Sequence, residues 1–317
     1  MPERVCPSEV RCLEGLPVVA VDIGNARIKI GRFPAACGSQ RGTRCPAIPT
    51  NAKVPGGSTS RSVQTLPAPV DTLSIGGVRP EFDQLTGWVE RAAPPVLSWW
   101  IGSVNRPATT LLLDWLRSAR PQDAVTLLVS ADLPLVIRLP EPDRVGIDRL
   151  LDAVAANMLR SPGRPAVVVD VGTAITVDLV SADGAFCGGA ILPGTAMSAR
   201  ALTEFTDLLP QVDVADLGEP PPLVGKTTVQ AMHSGLFWSA VGAVRELASR
   251  MLAEQQPANG SPEPRSPSIF LTGGAVAAMA GLLGSRACLV PHLTLAGIAL
   301  TAQASAAGSL QGQPQPE

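Results

Sequence analysis

Two short stretches, about half a chain apart, share one design. Val19-Ala20-Val21-Asp22-Ile23-Gly24-Asn25-Ala26 aligns with Val167-Val168-Val169-Asp170-Val171-Gly172-Thr173-Ala174. Each is an apolar, β-branched run ending in Asp, an aliphatic residue, Gly and a small residue. Each is followed by a second strand pattern, Arg27 to Phe33 and Ile175 to Val180, so each reads as a strand–turn–strand hairpin. A repeat at this spacing is too long for a solenoid. It points to two half-domains of common design, each built on an Asp-x-Gly hairpin.

Between and after the hairpins, strand and helix patterns alternate. Val96 to Val104 and Ala124 to Ser130 read as strands, and Ala108 to Ala119 as an amphipathic helix. Asp148 to Leu159 reads as a helix and Phe186 to Leu192 as a strand. Thr227 to Glu254 is one long helix or two abutting ones. Ser268 to Leu271 is a strand closed by Thr272-Gly273-Gly274, with helices expected over Ala275 to Leu283 and Thr294 to Ala306. The fold class is α/β, with mixed sheets made of hairpins plus crossover helices; two hairpins and Thr272-Gly273-Gly274 in that order resemble the actin, sugar-kinase and chaperone-ATPase superfamily, which implies two actin-like (ribonuclease H-like) half-domains flanked by helices with a nucleotide cleft between them. The expected halves are residues 16–145 and 146–306. Residues 34–80, rich in Pro and Gly, are expected to be a disordered or loop insertion, and 307–317 a disordered tail.

Composition narrows the function. The chain has 317 residues, 45% hydrophobic and 16% charged, which suits a large buried core. The formal net charge is -2, so no basic surplus exists to neutralise a phosphate backbone, and nucleic acid is not an expected partner. Six cysteines lack any C-x-x-C pairing, and two histidines complete no zinc pattern. Scattered cysteines fit reduced thiols. Met1 to Gly15 lacks the apolar stretch of a signal peptide, and no apolar run reaches spanning length. A cytoplasmic protein with no membrane partner is expected. His233 and His292 read as packed residues, and the five tryptophans as core or interface.

The hairpins carry the first chemical signal. A Gly at a tight turn lets backbone N–H groups approach a phosphate, and the preceding Asp can hold a hydrated Mg²⁺ beside it. Each hairpin alone also reads as an ordinary β-turn. Thr272-Gly273-Gly274 opens a helix and offers a flat backbone for a nucleotide, or a plain αL turn. Gly146-Ile147-Asp148-Arg149 opens another helix. Asp148 there is either a cap or a general base, and Arg149 either a surface cation or an anion ligand.

Four segments in one order resemble type III pantothenate kinase. They are Asp22-Ile23-Gly24-Asn25, Gly146-Ile147-Asp148-Arg149, Asp170 to Asp178, and Gly188-Gly189-Ala190-Ile191-Leu192-Pro193-Gly194. Gly102-Ser103-Val104, Thr206 to Pro210, Gly225 to Thr228 and Thr272-Gly273-Gly274 agree more weakly. The resemblance implies transfer of the ATP γ-phosphate to the primary hydroxyl of pantothenate, the first step of coenzyme A synthesis. It implies Mg²⁺ with ATP, a monovalent cation (K⁺ or NH₄⁺) and a homodimer. By position it assigns ATP to Asp22, Ile23, Gly24, Asn25, Ala26, Arg27, Ile28, Lys29 and Thr173. Asp148 becomes the general base and Asp170 the ligand of the monovalent cation. Leu139, Gly146, Ile147, Asp148 and Arg149 line the pantothenate site, with Thr206 supplied by the partner subunit. Two positions depart from the family pattern. Ala26 replaces a Thr or Ser, which predicts weaker ATP binding, and Leu139 replaces an aromatic residue. A kinase for another small hydroxylated substrate and a non-catalytic regulatory paralogue are the alternatives.

Overall fold

The computed structural model describes residues 16–34, 66–91, 96–214, 219–255, 268–274, 276–284 and 286–311. Its elements run β1 (Val18–Ile23), β2 (Arg27–Phe33), β3 (Asp71–Gly76), α1 (Phe82–Glu90), β4 (Ser98–Ser103), α2 (Arg106–Ala119) and β5 (Ala124–Leu127). They continue with α3 (Ile147–Leu159), β6 (Ala166–Val171), β7 (Ala174–Val180), β8 (Phe186–Pro193), α4 (Thr195–Glu204) and α5 (Thr228–Glu254). The last are β9 (Ile269–Thr272), α6 (Ala277–Ala280), β10 (Ala287–Leu289) and α7 (Leu293–Gln311).

The two halves of the sequence build the same sheet. The first has strand order β3-β2-β1-β4-β5, and the second, read from its other edge, β8-β7-β6-β9-β10. In both, the first three strands form an antiparallel meander and the last two run parallel to the central strand. The repeat seen in the hairpins therefore extends to whole sheets, as expected of two ribonuclease H-like half-domains.

Strand alternation sorts side chains into layers. Val19, Val21 and Ile23 of β1 pack with Leu85 and Trp88 of α1 and Leu112 and Leu116 of α2. Ala20 and Phe33, on the other face, join Leu150, Leu151 and Val154 of α3 and Leu295 and Ile298 of α7. The same cluster takes Val168, Val180, Phe186 and Phe270 from the inner face of the second sheet. That sheet's outer face, with Val167, Val169 and Val177, packs on Phe237, Val241 and Val244 of α5. The order is helices, sheet, the α3–α7 pair, sheet, helices. Each fully buried aliphatic side chain in such a core contributes about 1.5–3 kcal/mol.

Several expectations change. Most of 34–80 lies outside the described residues, but 71–76 is the edge strand β3, registered on β2 from Arg27↔Gly76 to Arg32↔Asp71. Its buried Ile75 alternates with exposed polar neighbours, and flanking Pro and Gly hide that short pattern. Of the helix expected over 275–283, α6 covers four residues. Residues 307–311, expected to belong to a disordered tail, are part of α7, and 312–317 lie outside the described residues. Although α7 belongs to the second half of the sequence, it packs against β1, β2 and β4 of the first sheet. His292 is exposed and has a positive φ of 59°, so it is not a packed residue. Among the described residues Cys187 is a half-buried free thiol and Cys288 is buried. Among the described residues, no helix is long and apolar enough to cross a membrane.

Candidate functional site

The equivalent strands place Asp22 and Asp170 at matching points, the carboxyl ends of β1 and β6. Across each hairpin, Asp22 registers with Lys29 and Asp170 with Thr176. Both turns close on the backbone, with the Gly24 N–H donating to the Arg27 carbonyl at 3.0 Å and the Gly172 N–H to the Ala174 carbonyl at 3.0 Å. Asn25, Ala26 and Arg27 are exposed at the first tip, and Gly172 and Thr173 at the second.

Each tip is braced from the third strand of its meander. The Gly77 N–H, just past β3, donates to the Ala26 carbonyl at 2.9 Å, and the Gly194 N–H, just past β8, to the Thr173 carbonyl at 3.0 Å. A Cβ at Gly77 would stand 3.1 Å from Arg27 N, and one at Gly194 2.5 Å from the Thr173 oxygen. Only glycine fits that close without shifting the tip. Gly77 escaped the sequence reading. Its signal was the Gly-Gly pair at 76–77, at the end of a strand that was itself missed.

Asp148 and Arg149 sit in the first turn of α3. One Asp148 carboxylate oxygen, Oδ1, accepts the Arg149 backbone N–H at 2.8 Å, which fixes the side chain at the helix start. The guanidinium of Arg149 turns to Asp178 on β7. Its Nε lies 3.1 Å from both carboxylate oxygens, and one Nη also donates to Oδ1. Asp178 is 2% exposed and stands opposite Gly189 of β8, where a Cβ would collide with its carboxylate. Asp178 closes the Asp170 to Asp178 motif, yet nothing in the sequence assigns it a role. A lone carboxylate inside an apolar strand was the available signal, since such a group demands a partner.

Charge is concentrated here. Lys29 Nζ lies 3.6 Å from Asp22 Oδ2. Burial pushes Asp22 up to about 6; Lys29 opposes that shift, and the charges of Asp148 and Asp170 add to it. Burial also raises Asp148, against the pull of Arg149, and raises Asp170, against Lys29. Asp178 is raised by burial against its Arg149 bonds. Burial depresses Lys29, but Asp22, Asp170 and Asp152 outweigh it and hold the ammonium above its ordinary value. The structure thus brings Asp22, Lys29, Asp148 and Asp170 within one electrostatic field, from both halves of the fold. Asp170 Oδ1 is buried without a hydrogen-bond partner, beside Gly273 at the end of β9.

Other expected residues lie around this centre. Ile147 is buried at the start of α3, and Gly146 is that helix's N-cap. Ile28 is fully buried beneath the first tip. Leu139 is half-buried beside Gly188, at 3.2 Å from its Cβ position. Thr206 is not joined to the carboxylates by any hydrogen bond; its hydroxyl donates to the Leu202 carbonyl at 2.6 Å. It lines a groove of about 820 Å³ between α4 and α5 with Met197, Leu202, Phe205, Met232 and Leu236.

Residues 77–250 match the type III pantothenate kinase family, more than half of the chain. The chain belongs to that family. A type III pantothenate kinase of Dehalococcoides mccartyi is 36% identical over 205 residues, 63% of this chain and 73% of the relative. One from Rhodospirillum centenum is 38% identical over 175 residues, 55% and 64% of the two chains. One from Paramagnetospirillum magneticum is 46% identical over 123 residues, 39% and 45%. Against the first of these curated relatives the chain thus spans about half to two thirds of their length. Among solved structures, the ethanolamine utilization protein EutJ from Carboxydothermus hydrogenoformans superposes with a TM-score of 0.46 at 15% identity, covering 92% of each chain.

Proposed function

We propose that the protein transfers the γ-phosphate of MgATP to the primary hydroxyl of pantothenate. The observation that carries this reading is the meeting of Asp148, Asp22, Lys29 and Asp170 in one field, each at a position the family pattern assigns to the reaction. The exposed backbone of the two braced hairpins, at Gly24 to Arg27 and Gly172 to Thr173, faces the phosphates, with Lys29 the nearby positive charge. Phosphoryl transfer depends on such positioning and charge balance more than on covalent help.

Asp148 acts as general base. One carboxylate oxygen is anchored by the Arg149 N–H, leaving the other to accept the hydroxyl proton as the oxygen attacks. A basicity raised by burial suits that task. Arg149 binds the substrate carboxylate through the guanidinium edge not spent on Asp178, while Gly146, Ile147 and Leu139 shape the apolar part of the pocket. The unpartnered buried oxygen of Asp170 fits a cation, and a monovalent ion held there would supply positive charge that Thr176 does not. The α4–α5 groove receives a second copy of the chain. Its rim exposes Phe205 at 81%, close to Leu208 at 86%, and the facing Thr206 reaches the neighbouring pocket.

Asp148→Asn tests the central role. The amide keeps the volume but loses the basic oxygen. We expect kcat to fall roughly 10²–10⁴-fold with little change in the KM for either substrate. A variant with near-normal kcat would remove Asp148 from the chemistry.

A further inference from the structure

A guanidinium carries five N–H donors in a planar fork. Asp178 takes two of those of Arg149 from one side: Nε lies 3.1 Å from each carboxylate oxygen, and Nη2 also donates to Oδ1. The other three donors belong to Nη1 and to the outer side of Nη2, so the end of the fork still presents a parallel pair. That end matches a second carboxylate in bidentate geometry. Among the described residues Nη1 makes no hydrogen bond, although the side chain is only 14% exposed.

The second sheet holds this direction. Asp178 is buried on β7, and its place depends on Gly189 opposite, where any Cβ would collide with the carboxylate. The β7–β8 register shifts directly afterwards, between Asp178 and Val180. Such irregularities re-aim side chains beside sites. The fully buried ring of Phe186 lies 5.7 Å from Arg149 Cζ, within reach of a cation–π contact. A carboxylate and a ring from the second sheet thus grip a side chain that grows from the first turn of α3, next to Asp148. A free arginine samples many rotamers, and a forked partner fixes one of them.

We propose that Asp178 is a positioning residue: it turns Arg149 so that the free end of the fork meets the substrate carboxylate, and it thereby sets the preference for an acidic substrate over a neutral analogue. The inference rests on the reading of Arg149 as the ligand of that carboxylate. Asp178 does not touch the substrate. Its charge opposes that of an incoming carboxylate, so what it contributes is direction rather than attraction.

The test sets pantothenate beside pantothenol, the neutral alcohol in which CH₂OH replaces the carboxylate, used as substrate or as competitive inhibitor of the purified protein. The unaltered protein should favour pantothenate, and Arg149→Gln should erase that preference. Asp178→Asn keeps the volume but replaces one acceptor oxygen of the fork with an NH₂ donor. We expect it to raise the KM for pantothenate roughly tenfold or more, with little change for pantothenol, in kcat or in the KM for ATP. Added to Arg149→Gln, it should change the preference no further, because the two side chains act as a unit. Asp178→Ser provides the same reading if the Asn variant does not fold. If the Asp178 variant weakens both compounds equally while Arg149→Gln erases the preference, Asp178 is only structural; this inference is then overturned and the reading of Arg149 stands. If Arg149→Gln keeps the preference, that reading falls and this inference with it.

Discussion

A carboxylate on a buried strand is costly unless something opposes its charge, and three aspartates here meet that cost differently. Asp178 has a forked guanidinium, Asp22 has Lys29 across the hairpin, and Asp170 has no cation in register. The Asp178 pair is a geometric device, so Arg149→Lys is not conservative: a point charge replaces a fork. Removing one partner from a buried pair typically costs about 3–5 kcal/mol. Lysine keeps the charge, so we expect the lower end of that range, read from urea denaturation. Asp22 gives a pH signature. Its folded pKa of about 6 lies above the ordinary 3.8, so the folded state binds the extra proton between those values. The stabilisation this provides is fully present below about 3.8 and is lost as pH rises through 6. Asp22→Asn should therefore raise the melting temperature of the nucleotide-free protein at pH 7.5, by a few degrees, and leave it nearly unchanged at pH 4. An equal gain at both pH values would mean the ionised Asp22 is not the source of strain.

At the scale of elements, the two braced hairpins are the recurring unit. Gly194→Ala and Gly77→Ala would press a methyl group against the backbone of the tip each one holds. We expect either change to raise the KM for ATP at least several-fold while the far-ultraviolet circular dichroism spectrum stays unchanged; an unaltered KM would remove the brace from phosphate binding. The hairpins were legible in the sequence because buried strands write their alternation plainly and Asp-x-Gly marks the turn. β3 was not, since an edge strand buries one face and carries polar residues on the other, between Pro67, Pro69 and Pro80. The start of α3 was legible through Gly146 and Asp148, while Asp152 hid among the apolar residues of the same helix. Its surroundings depend on α7, which packs on α3 from more than a hundred residues away in the chain. The Asp178–Arg149 fork was hidden for the same reason: cross-strand and helix–strand neighbours are set by tertiary packing.

Over the whole molecule, a duplicated sheet places two copies of one hairpin where their ends share a field, and the α3–α7 layer fills the space between. The last helix crosses back to the first sheet, which the linear order of residues did not disclose. The α4–α5 groove lies outside these layers, and the dimer proposed there is open to direct test. Phe205→Asp should convert the dimer to a monomer in sedimentation velocity and lower activity with it, whereas an unchanged sedimentation coefficient would place any dimer contact elsewhere. The central claim is the reaction itself. Its most direct test is ADP release by the purified protein with pantothenate and MgATP in K⁺, beside the same mixture in Na⁺, with the product identified by mass spectrometry. The account predicts pantothenate-dependent turnover that needs K⁺ and yields 4'-phosphopantothenate. ATP binding with no pantothenate-dependent product in either salt would contradict it and turn attention to Ala26 and Leu139.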